Sequence, residues 1–156
     1  METLAAILHQ AGLLLYAGPL LAFALLLPLS SRIRSLEPWH LDRAWRAWGP
    51  GSGLALGMLI LGGLLRYFLA RGGFVWGVEQ AFDRIFLAKH LIFLVLWVNY
   101  TYTEIWVAEP LRRLDPGLDA PAELGAYTQA RGRLIRHLWV NAACVVAILV
   151  LSSLPY

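Results

Sequence analysis

Residues 82–108, FDRIFLAKHLIFLVLWVNYTYTEIWVA, decide how the chain is read. From Ile85 to Val107 the run is long enough to cross a bilayer as a helix, which takes about 20 residues. Lys89 and His90 stand side by side little more than one turn inside it. A charge at the centre of a membrane helix costs roughly 2.5–3.5 kcal/mol on insertion scales. Residues kept at such a cost point to a partner. The remaining sequence is therefore read for groups that meet Lys89 and His90.

Three further apolar runs accompany this one: Leu4–Leu29, Pro50–Ala70 and His137–Leu154. Each is near spanning length and each is followed by a polar or Pro/Gly-marked break. With 59% hydrophobic and 15% charged residues, the composition argues against an ordinary soluble globule. The expected fold is all-α, one domain over residues 1–156, a transmembrane four-helix bundle in up-down-up-down order. The first run does not read as a cleavable signal peptide. It lacks a basic flank, is too long, and has no small-x-small site after it.

Arginine placement sets the expected topology. The loops after the first and third runs carry Arg32, Arg34, Arg43 and Arg46, and Arg112, Arg113, Arg131, Arg133 and Arg136. The second loop and its flanks carry Arg66, Arg71 and Arg84. The positive-inside rule puts the arginine-rich loops in the cytoplasm, and both termini and the second loop on the outer, periplasmic side. The expected location is the inner membrane of a bacterium. Trp39, Trp45 and Trp48, interleaved with arginines, fit headgroup depth better than a nucleic-acid surface, so no nucleic-acid partner is expected. Pro38 is expected to open a short amphipathic helix in the interface, and Ala122–Leu134 to form a short surface helix.

This topology makes the first and third helices run in the same direction. His9 and His90 each lie about five residues from the outer end, roughly 7–8 Å deep at 1.5 Å per residue. Two histidines at one depth on facing helices suit a metal held between them. For haem iron, the two imidazoles take opposite faces of the porphyrin. Arg66 and Arg71, on the same outer side, are candidates for the propionates, with Lys89 as a further cation. The glycines of the second run, including the pair Gly53 and Gly57, suit either tight helix packing or a flat wall beside a ring. The competing reading of each histidine is a helix–helix hydrogen bond. His137 stands at the cytoplasmic end, a possible second metal site or an interfacial residue, and His40 reads as a loop residue.

Copper is the alternative metal. Its cuprous form favours thiolate or thioether ligands, and the sulfur inventory is Met1, Met58 and Cys144. A lone cysteine excludes an internal disulfide and any Cys-x-x-Cys motif.

The stretch Phe82–Leu96, with Phe82, Arg84, the run Ile85–Ala88 and Lys89, resembles the signature of the CopD family of membrane proteins. LHQAGLLLYAGPLLAFALLLP, residues 8–28, is similar to that family's first helix, with His9 and Gly18 at its histidine and glycine. RGRLIRHLWVNAACVVAILVLSSL, residues 131–154, resembles its last helix, with Asn141 near a position that is often acidic. The resemblance implies a membrane bundle associated with copper uptake or resistance. HemJ-type protoporphyrinogen oxidases are similar in pattern, with a first-helix haem-ligating histidine and a third-helix lysine matched by His9 and Lys89. Their aromatic-proline-arginine-leucine run at the end of the first helix is here LLLPLSSRI. The expected function is thus haem b binding with membrane electron transfer, the alternatives being copper handling and porphyrinogen oxidation. A redox partner subunit or a homodimer is the expected protein partner within the lipid bilayer.

Overall fold

The computed structural model describes residues 1–30, 38–72, 81–109, 111 and 121–153. Among these residues the chain is all-helical, with no strand. Helix α1 spans Glu2–Leu29, α2 Pro38–Arg71, α3 Ala81–Tyr102 and α4 Pro121–Ser153. Helix α3 runs on into a π-helical segment, Thr103–Ala108. Arg32, Arg34, Trp76, Arg112, Arg113 and the expected turn at Asp115–Gly117 lie outside the described residues.

Among the described residues four stretches are long and apolar enough to cross a membrane: Glu2–Leu29, Gly51–Ala70, Asp83–Ala108 and Leu124–Ser153. They correspond to the four apolar runs. Their outward faces remain apolar, as at Leu14, Leu54 and Trp106, which are 73%, 71% and 68% exposed. In water such faces would cost hydrophobic free energy. In a bilayer they are the solvent-compatible surface, and the helical backbone satisfies its own hydrogen bonds. The chain is a membrane-type helical bundle.

Helices α2 and α4 are longer than the apolar runs predict. No separate interfacial helix opens at Pro38, because the segment is one piece with the second span. The reason is a buried stripe at helical spacing: Trp45, Gly49, Ser52, Leu56, Leu59 and Gly62. Trp45, expected at headgroup depth, is only 1% exposed. It packs edge-on to Phe23, with centroids 5.4 Å apart, and beside Trp48 at 5.0 Å. The side chains of Trp39 and His40 lie outside the described residues. Likewise the expected surface helix at Ala122–Leu134 is the first part of α4, whose Tyr127, Leu134 and Leu138 are buried.

Close backbone approach sets the α1–α2 packing. A Cβ on Gly12 would stand 2.5 Å from the Leu59 amide nitrogen and 2.8 Å from the Ala55 carbonyl oxygen. A Cβ on Gly62 would stand 2.5 Å from the His9 nitrogen. The close-packing glycines are therefore Gly12 and Gly62. Among the described residues, a Cβ on Gly57 would meet nothing within 4 Å beyond its own helix, and one on Gly53 would meet the Tyr100 hydroxyl at 3.5 Å. As residue numbers rise along α1, those of their α2 partners fall: His9 with Gly62, Gly12 with Leu59, Leu15 with Trp48.

Both ends of this pair are capped. At the end of α1 the Ser30 amide donates to the Leu26 carbonyl at 2.8 Å and its hydroxyl to that of Leu27. Arg131 of α4 donates to the same Leu27 carbonyl at 2.8 Å and to Ser30 Oγ at 2.7 Å. A cation at a helix C-terminus also opposes the negative end of the helix dipole. Helix α2 ends at Gly72, whose φ of +69° and bond to the Phe68 carbonyl make a left-handed cap suited to glycine.

Candidate functional site

His9 is held by its neighbours before any ligand is considered. Gly62 lets the α1 backbone come in close, and the imidazole lies over Gly63, with Nδ1 3.6 Å from where a Cβ on that glycine would stand. Its Nδ1 is 3.2 Å from the Leu59 carbonyl oxygen. A carbonyl only accepts, so Nδ1 carries the hydrogen and Nε2 keeps a lone pair in the neutral ring. Metal-ligating histidines are oriented in this way, with the second nitrogen donating to a carbonyl or carboxylate. Arg66 of α2 and Lys89 of α3 are the cations within electrostatic reach of His9, and Lys89 also lies within reach of Arg66. Three helices thus bring together three of the residues singled out from the sequence. Lys89 is half-buried and Arg66 is exposed.

His90 occupies the neighbouring position but a different environment. Its ring is exposed and lies 3.8 Å from that of Phe86, which in turn stacks on Tyr67 at 3.8 Å. Its Nδ1 donates to the Phe86 carbonyl at 2.8 Å, one turn back on the same helix, which again leaves Nε2 with the lone pair. Ser52 beside Tyr100 and Tyr67 beside Phe86 set the register between α2 and α3. Counting from either pair puts His90 level with Gly62 and Gly63, where His9 packs. The two histidines share a level along the bundle, while the described contacts of His90 are with Phe86 of its own helix. The side chain of Arg71 lies outside the described residues.

His137 belongs to another group. It lies well inside α4 and is half-buried. Its Nδ1 meets Asn99 Oδ1 at 2.7 Å. The Asn99 amide nitrogen donates to the His137 carbonyl at 3.1 Å and to Asn141 Oδ1 at 2.7 Å. Both amide hydrogens are then used, so Oδ1 accepts and His137 Nδ1 donates. The Thr103 hydroxyl donates to the Asn99 carbonyl at 2.6 Å, where α3 passes into its π-helical segment. An alternative partner for a backbone carbonyl is one way a helix departs from the regular ladder.

Sequence reasoning missed Asn99, Ser52, Tyr100 and Thr103. The Ser52 and Tyr100 hydroxyls lie 2.7 Å apart, and both approach the Gly49 carbonyl, at 2.6 and 3.1 Å. The signal was present: each is a polar group inside or at the end of an apolar run, the criterion that singled out Lys89. Among the described residues no three His, Cys, Asp or Glu side chains converge as a metal-holding group. No family model, curated protein or solved structure matches the chain.

Proposed function

We propose that this is a CopD-like protein of a bacterial inner membrane that binds b-type haem and takes part in membrane electron transfer. The observation that carries the reading is the setting of His9. Its Nδ1–H is held by the Leu59 carbonyl, its Nε2 keeps a lone pair, and Arg66 and Lys89 lie within electrostatic reach. This donor set fits haem. A neutral imidazole suits the iron, and two cations suit the propionates. His9 and His90 would hold the iron, and Arg66, Lys89 and Arg71 would pair with the carboxylates. The haem would supply one-electron chemistry, with the protein orienting His9 through the Leu59 carbonyl and providing Arg66 and Lys89 as cations. His137, engaged by Asn99, is the candidate for a second site only through its Nε2.

The proposed topology is up-down-up-down with both termini on the outer side. Falling partner numbers along α1 and α2 support alternation of those helices. The pairs Ser52–Tyr100 and Tyr67–Phe86, and Leu27–Arg131 with Tyr16–Cys144, support it for α2–α3 and α1–α4. The nine arginines between the first and second and between the third and fourth apolar runs support the orientation.

A second reading, a HemJ-like protoporphyrinogen oxidase, is favoured by the approach of Lys89 to His9, the two residues that the resemblance carries over. Absorption spectra of the detergent-purified protein, oxidised and reduced, test the proposal. The expected result is a b-type spectrum in the wild type that is lost in His9→Ala. A colourless preparation that retains copper would overturn it in favour of copper handling. Rescue of a strain lacking porphyrinogen oxidation would select the enzyme.

A further inference from the structure

Away from His9, the middle of the bundle holds a polar layer. Tyr16 of α1 is 1% exposed and Asn141 of α4 is 0% exposed. Neither the Tyr16 hydroxyl nor the Asn141 amide nitrogen has a hydrogen-bond partner among the described residues. Both belong to the same level of the bundle. Tyr16 lies within electrostatic reach of Cys144, one turn beyond Asn141, and of Tyr100 and Glu104. The Tyr16 and Tyr100 rings are 6.1 Å apart, and Asn99, next to Tyr100, binds Asn141. Glu104 sits in the π-helical segment, with its Oε1 buried.

Leaving a buried donor unpaired costs the full desolvation of that group. Two such donors at one level of the bundle, on different helices, with a carboxylate within electrostatic reach of Tyr16, point to a ligand. Its chemistry follows from the groups. Tyr16 and Asn141 offer hydrogens, so the ligand must accept. An anion would meet the Glu104 carboxylate, and a metal cation would meet the Asn141 amide hydrogens, which offer it no lone pair. Water accepts from the first two and donates to the third. Buried waters make about three hydrogen bonds, and they occupy polar sites while apolar cavities stay dry.

We propose that Tyr16, Asn141 and Glu104 line a water-binding site inside the bundle, separate from the His9 site. The bound water completes the hydrogen bonding of Tyr16 and Asn141 and hydrates the Glu104 carboxylate.

Radiolytic footprinting of the full-length protein in detergent tests this, because hydroxyl radicals formed from bound water oxidise the side chains they touch. The expected result is oxidation of Tyr16 despite its burial, reduced several-fold in Asn141→Leu. Absence of Tyr16 oxidation, or equal oxidation in Asn141→Leu, would overturn the site. Tyr16→Phe provides a test that does not depend on the Asn141 variant folding. Removing an unpaired buried hydroxyl leaves the melting temperature unchanged or raises it, whereas removing one that binds water lowers it. A lowered value is expected; an unchanged or raised one counts against the site.

Discussion

Gly62 and His9 meet backbone to backbone: a methyl group on Gly62 would stand 2.5 Å from the His9 nitrogen and 2.7 Å from its Cα. Neither atom belongs to a flexible side chain that can turn away. Gly62→Ala is therefore expected to push α1 off α2 and to destabilise the bundle by about 1–3 kcal/mol, the usual cost of overpacking. Gly57→Ala is the control, since among the described residues nothing beyond its own helix would lie within 4 Å of the added methyl group. It should be neutral or slightly stabilising through helix propensity. Thermal unfolding in detergent measures both, and equal melting temperatures would show that the close approach is unimportant.

The haem proposal separates three histidines. His9→Ala and His90→Ala are each expected to abolish or shift the haem spectrum, while His40→Ala leaves it unchanged. A normal bis-histidine spectrum in His90→Ala would remove His90 as the second ligand and leave His9 to be tested alone.

Lys89 stands within reach of both His9 and Arg66. Lys89→Met removes a charge from within an apolar run, where insertion is costly though less so than the roughly 2.5–3.5 kcal/mol of mid-membrane, so the variant should insert at least as well. Its haem should be retained less well during purification. Measured as haem per protein, an unchanged ratio would show that Lys89 does not hold the cofactor.

Asn99 links α3 to α4 through three hydrogen bonds, to His137 Nδ1, the His137 carbonyl and Asn141 Oδ1. Asn99→Ala should cost on the order of 1 kcal/mol, the scale of interhelical hydrogen bonds in membranes. A double-mutant cycle with His137→Ala should give a positive coupling energy. Additive losses would mean that the pair contributes nothing to stability.

The topology is open to cysteine labelling. With Cys144→Ser as background, Thr3→Cys is expected to react with an impermeant reagent in intact cells and Ser35→Cys only after permeabilisation. Reaction of both from the same side would overturn the proposed order.

The sequence by itself determined the approximate place of the four helices that are long and apolar enough to cross a membrane among the described residues. Crossing a bilayer depends on length and apolarity along the chain, and both can be counted residue by residue. It also marked His9, Lys89 and Arg66, because ionisable groups in or beside apolar helices stand out wherever they point. Only the tertiary structure decided which groups meet. Trp45 reads as interfacial from its arginine neighbours, yet it is buried because α2 begins at Pro38 and carries its inner face down to residue 45. Gly53 and Gly57 match a packing motif, yet the close approach falls on Gly12 and Gly62, a choice set by the rotation and register of two helices. Helices that are apolar on every side give little one-dimensional sign of which face turns inward. Asn99 therefore becomes a partner of His137 and Asn141 only once α3 and α4 are packed together.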